Sequence, residues 1–130
     1  MKELRMKKII LSAIALSVMN LAMASSKTTV DDTQGYMGQA LKIKVHHEFN
    51  VYNDSSITKN YLVAETCEVD GKKYKKGWGF ILPSHGRKSF GEDLYLDYSA
   101  ITKGEWKIEA MTSIANSDSV SFGHAKLTVN

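Results

Sequence analysis

From residue 41 onward the chain alternates strictly between apolar and polar positions. Leu41, Ile43, Val45, His47, Phe49 and Val51 share one phase, and Lys42, Lys44, His46, Glu48, Asn50 and Tyr52 share the other. A period of two places successive side chains on opposite faces, so the segment predicts a half-buried β-strand, in one piece or two. Asn53-Asp54-Ser55-Ser56 ends it, because Asn and Asp tolerate left-handed backbone and bond their own neighbours. Residues 58–69 are rich in β-formers and predict the next strand. Asp70-Gly71 predicts a two-residue hairpin, since a type I′ turn needs positive φ at both positions. The return strand begins at Lys72 and carries Tyr74, and Gly77-Trp78-Gly79-Phe80-Ile81-Leu82 reads as a further apolar strand.

The same punctuation continues to the end of the chain. Pro83-Ser84-His85-Gly86 predicts a turn across which residues 87–90 pair back, and Gly91-Glu92-Asp93 predicts a break. Leu94, Leu96 and Tyr98 alternate. After a turn at Thr102-Lys103-Gly104-Glu105, Trp106, Ile108, Ala110, Thr112 and Ile114 form an inward face opposite Lys107, Glu109, Met111 and Ser113. Beyond the turn at 116–119, Val120 and Phe122 occupy one phase and Ala125, Leu127 and Val129 the other, with Gly123 read as a β-bulge at the slip. No segment after residue 24 has a helical period. About seven to eight short strands at regular spacing predict an all-β fold, a single antiparallel β-sandwich. Lysines at 42, 44 and 126 read as guards of the sheet edges, which favours a sandwich over a closed barrel. The expected core is Leu41, Ile43, Val45, Val63, Cys67, Ile81, Leu96, Trp106, Ile108, Ala110, Leu127 and Val129.

The first 24 residues read differently. Lys2, Arg5, Lys7 and Lys8 make a basic start, residues 9–18 are apolar, and Ala22-Met23-Ala24 offers small residues for signal peptidase. This predicts a secretory signal of bacterial type cleaved after Ala24, with Met6 an alternative start. The apolar run is shorter than the roughly 20 residues a membrane span requires. No cysteine follows Ala24, so no lipid anchor is expected. The expected organisation is a signal over 1–24, a flexible polar leader over 25–38 with a short strand near Tyr36, and the sandwich over 39–130, in the periplasm or secreted further. Charge follows this division. The chain has 17 Lys+Arg and 14 Asp+Glu, and removing four basic residues and one acidic residue with the signal leaves 13 of each. The basic balance therefore belongs to export and is no sign of nucleic-acid binding. Cys67 is the only cysteine, which excludes an intrachain disulfide and leaves a buried thiol or an intermolecular contact through it.

Two short stretches resemble known exported modules. Gly104-Glu105-Trp106-Lys107-Ile108-Glu109-Ala110, followed after a turn by Ala125-Lys126-Leu127-Thr128-Val129, resembles the last two strands of immunoglobulin-like domains. Phe49-Asn50-Val51-Tyr52-Asn53-Asp54-Ser55-Ser56 resembles a strand end of periplasmic pilus-chaperone-like modules. The resemblance implies an immunoglobulin-like architecture and no activity: the chain lacks the cysteine pair of antibody domains and the second domain of a pilus chaperone.

Candidate chemistry is sparse. His46 and His47 are neighbours on a strand, so they face opposite sides and cannot share an ion. His85, His124 and Cys67 would have to converge to make a metal or catalytic site, and no metal-ligand spacing supports it. Glu65, Glu68, Glu92, Asp93 and Asp97 supply carboxylates without a pattern that sets a pair at a defined distance. Nucleophile elbow, phosphate loop and dinucleotide fingerprint are missing. No cofactor is expected. The densest charge, Lys72-Lys73-Tyr74-Lys75-Lys76 with Trp78 just after, makes Lys73, Tyr74, Lys75 and Trp78 the candidate binding residues, although alternation divides them between two faces. Three readings result. The first is a non-enzymatic binding module for a protein, glycan or surface component. The second is a small metal protein or enzyme. The third is a subunit assembling by strand exchange through its polar leader.

Overall fold

The computed structural model describes residues 24–99, 102–117 and 119–130. Residues 1–23 of the predicted signal over 1–24 lie outside the described residues, and its last residue, Ala24, opens the first strand. Eight strands follow in order: β1 (Ala24–Val30), β2 (Thr33–Gly35), β3 (Ala40–Tyr52), β4 (Lys59–Val69), β5 (Lys72–Leu82), β6 (Arg87–Ser99), β7 (Gly104–Ala115) and β8 (Ser119–Val129). They form a three-stranded sheet, β1-β3-β6, and a five-stranded sheet, β2-β8-β7-β4-β5. Every pairing is antiparallel except β2 with β8. This is a β-sandwich with the immunoglobulin-type strand order, in which the second and fifth long strands of the pattern pair in one sheet and the hairpins β4-β5 and β7-β8 join in the other.

The predicted alternation holds along β3, which runs unbroken with Ile43, Val45, His47, Phe49 and Val51 buried. The Asp70-Gly71 hairpin has φ of 49° and 78°, as a type I′ turn needs. Asn53 is buried at the end of β3, where its Nδ2 donates to the carbonyls of Ile57, Leu82 and Pro83. It ties the β3–β4 and β5–β6 connections together at one end of the sandwich.

Several expectations are corrected. Residues 25–38 are no free leader, because they hold β1 and β2. They lack apolar alternation because the inward side chains Ser26 and Thr28 meet hydroxyls, those of Ser119, Ser121 and Thr112, where a core strand would meet hydrocarbon. Residues 87–90 do not pair back across the turn at 83–86. The chain crosses there to the other sheet, and Arg87 lies opposite Tyr52. Gly91-Glu92-Asp93 does not break the strand, since β3 supplies its ladder throughout. Gly123 is no bulge, as the β7–β8 register is unbroken. It is glycine because a Cβ there would stand 2.9 Å from the carbonyl oxygen of Thr28. Lys42, Lys44 and Lys126 lie on interior strands, and the lysine-rich edge is β5. Ile81 faces outward while Leu82 enters the core, and Trp106 is only half-buried.

Candidate functional site

The strand register places one polar residue from each of seven strands at a single level of the sandwich. In the three-stranded sheet Thr28, His47 and Glu92 stand side by side. In the five-stranded sheet Lys76, Glu65, Thr112 and Ser121 do. Below this level Ile43, Val45, Cys67, Leu96, Ile108 and Leu127 pack together. Above it Phe49, Val51, Tyr61, Val63, Leu82 and Ile114 do. A polar belt therefore bisects the hydrophobic core.

The belt is hydrogen-bonded from side to side. Thr28 Oγ1 is 2.7 Å from the hydroxyls of both Ser121 and Thr112. The Thr112 hydroxyl is also 2.7 Å from His47 Nδ1, and His47 Nε2 is 2.5 Å from the Tyr74 hydroxyl. Trp78 Nε1 donates to Glu65 Oε1 at 3.2 Å. Lys76 Nζ donates to both Glu92 oxygens at 2.9 Å. Burial shifts these groups toward their neutral forms: His47 falls to about 4, and the Glu65 carboxyl rises to about 7 with further help from the neighbouring Glu92. Burial also pushes Glu92 up, but the neighbouring Glu65 carboxyl and the hydrogen-bonded Lys76 ammonium together hold it below the usual range.

The predicted binding residues separate onto two faces. Lys73 and Lys75 are exposed on the outer face of β5. Tyr74 and Trp78 point inward, Tyr74 to His47 and Trp78 into a cluster with Phe49, Phe80 and Phe90. They belong to the core's margin and form no exposed aromatic patch with the lysines. The histidines disperse. His46 is half-exposed, its charge favoured by hydrogen bonds to Asp93 and Glu48. His85 sits in the β5–β6 turn and His124 on the outer face of β8. Cys67 is fully buried, and burial lifts its thiol to about 11. Among the described residues no cluster of three metal-ligating side chains occurs.

The outer face of the five-stranded sheet is the feature that sequence reasoning missed. Leu62, Ile81, Val120 and Phe122 are each more than half exposed there, at 64%, 65%, 51% and 61%. The rows across the sheet read Gly79-Leu62-Ala115, Gly77-Ala64-Ser113-Val120 and Lys75-Thr66-Met111-Phe122. The next row, Lys73-Glu68-Glu109-His124, is charged. A depression between these last two rows is lined by Thr66, Lys73, Lys75, Met111, Phe122 and His124. The signal lies in Val120 and Phe122, whose phase marks an apolar outer face and no bulge.

No protein-family model matches the chain, and no curated protein matches it. One similar solved structure is the CARDB domain of the PF1109 protein from Pyrococcus furiosus in complex with di-metal ions. It is 15% identical with a TM-score of 0.40, over 86% of this chain and 95% of that one. At that score the likeness bears on neither the fold nor the site of this protein.

Proposed function

We propose that the chain is an exported, non-enzymatic interaction module of immunoglobulin-like build that docks a protein partner on the outer face of its five-stranded sheet. The observation that carries this reading is the contiguous apolar area of Leu62, Ala64, Met111, Ala115, Val120 and Phe122, with the Ile81 side chain at its corner. Apolar area of this kind on a soluble domain marks a contact surface. The face carries aliphatic, Met and Phe side chains and no Trp or Tyr, which suits a packed protein surface better than a glycan.

The charged row adds a preference. Glu68 and Glu109 stand directly opposite each other, an unfavourable like-charge pair. A partner bringing a basic side chain to that point relieves it. A second copy stacked about an axis parallel to the strands would oppose two such pairs, so a different protein is the better fit. Lys73 and Lys75 border the same face. Export rests on the residue pattern of 1–24, and N-terminal sequencing of the exported product should return Ser25.

The test is a Leu62→Asp/Phe122→Asp variant compared with wild type as immobilised bait, beside sedimentation of the free protein. A partner retained by wild type and lost by the equally folded variant supports the reading. Equal retention by both, or a wild-type dimer that the variant abolishes, overturns the partner assignment.

A further inference from the structure

One group in the belt lacks a partner. Glu65 is fully buried on β4; its Oε1 accepts from Trp78, and its Oε2 has no donor. Four titratable groups share its level or border it: Glu92 from β6, Lys76 from β5 and His47 from β3 in the belt, and Tyr74 from β5, hydrogen-bonded to His47. β7, β1 and β8 face the belt with the uncharged hydroxyls of Thr112, Thr28 and Ser121. One ammonium, Lys76, thus serves two carboxyls, and both of its hydrogen bonds go to Glu92. A carboxylate is acceptor-only, so two of them can hydrogen-bond only through a proton.

The position matters as much as the chemistry. β5 and β6 are the edges of their sheets and make no ladder with each other. Beyond the turn at 83–86, that open side is joined by side chains: Lys76 to Glu92 and Trp78 against Phe90, with Glu65 at the same level as Lys76. We propose that Glu65 and Glu92 hold one proton between them, with Glu65 Oε2 as donor, and that this hydrogen bond is a pH-dependent clasp closing the open side of the sandwich. Below neutrality the clasp is made. Above it Glu65 becomes a second buried anion beside Glu92, Lys76 neutralises only one of the two, and β5 loosens from β6. Burial and the Glu92 contact push the Glu65 carboxyl up to about 7, so the change falls within the range an exported protein meets. The inference goes beyond the docking reading and does not depend on it.

The experiment is a carbon-detected NMR titration of glutamate carboxyls in the purified protein from pH 4 to 9. It is paired with backbone hydrogen exchange of β5 at pH 6 and 8.5, corrected for intrinsic rates, with β7 as internal control. Wild type should show one carboxyl titrating near neutrality, absent in Glu65→Gln and shifted down in Glu92→Gln to about tenfold weaker proton affinity. Protection of β5, and not of β7, should fall about tenfold or more across that pH interval in wild type. Protection should stay constant in Glu65→Gln, whose amide donates at every pH. Titration of Glu65 in the ordinary carboxylate range, no shift in Glu92→Gln, or pH-independent protection of β5 would each overturn the clasp. Should Glu65→Gln fail to fold, the Glu92→Gln titration and the wild-type exchange decide the matter alone.

Discussion

His47 of β3 and Thr112 of β7 meet across the interior of the sandwich, imidazole Nδ1 to hydroxyl oxygen at 2.7 Å. The contact joins the two sheets at their centre, and burial holds the imidazole in its neutral form. It divides what the alternating pattern predicts as one core into two apolar halves, each large enough to pack. Buried hydrogen-bonded networks of this kind specify one register, because a slip of one residue would strand their members unpaired.

The pH dependence of stability follows from His47 and Glu65 together. His47 is lowered from 6.5 to about 4, so the folded state binds fewer protons than the unfolded state between those values and His47 stabilises less as pH falls. Glu65 is raised from 4.5 to about 7, so its contribution is fully present below 4.5 and is lost as pH rises to 7. The two slopes oppose, and wild-type stability should be nearly flat from about pH 4.5 to 6.5. His47→Leu leaves the Thr112 and Tyr74 hydroxyls short of a partner, at a cost of about 1–3 kcal/mol at pH 7. It also exposes the Glu65 slope, so the deficit should shrink as pH falls to 4.5. Urea unfolding at four pH values checks this, and a deficit that grows in acid would contradict it.

Glycine positions separate into required and replaceable. A Cβ at Gly123 would lie 2.9 Å from backbone of β1, whereas at Gly77 the nearest atom is the Val63 carbonyl oxygen at 3.9 Å. Gly123→Ala should cost about 1–3 kcal/mol, because backbone must move. Gly77→Ala should be neutral or gain about 0.5–1 kcal/mol from reduced unfolded-state freedom. Thermal melts resolve the difference, at about 4–8 °C per kcal/mol for a domain of this size.

Cys67 lies in the lower core with its thiol raised by burial to about 11. At pH 8 a thiol-disulfide reagent should label the native protein only through opening, at least about a hundredfold slower than the urea-unfolded chain. Labelling at the unfolded rate would show a surface thiol.

Neighbouring residues at the end of β5 should differ in consequence. Leu82 is buried and Ile81 is 65% exposed. Leu82→Ala should cost about 2–5 kcal/mol and Ile81→Ala should lie within about 0.5 kcal/mol of wild type. Chemical denaturation of both variants tests which of the two belongs to the core.

The sequence by itself determined the strands, because the period of two along residues 41–52 and 106–114 and the φ demands of Asp70-Gly71 act within a few residues of each other. It also determined that His47 faces inward and that the lysines of β5 divide between two faces, since alternation alone settles both. Only the tertiary structure decided which strands share a sheet. The crossing at Pro83-Ser84-His85-Gly86 reads like a hairpin, and nothing local says that residue 87 will meet Tyr52 and not return along β5. Ser26 and Thr28 gave no apolar signal, because their inward partners are hydroxyls from a strand some 90 residues away in the chain. The polar level that Glu65 shares with Lys76 and Glu92 and the apolar outer face of Leu62, Val120 and Phe122 arise the same way. Each is assembled from strands distant in sequence, and neither exists until those strands pair and the sheets pack.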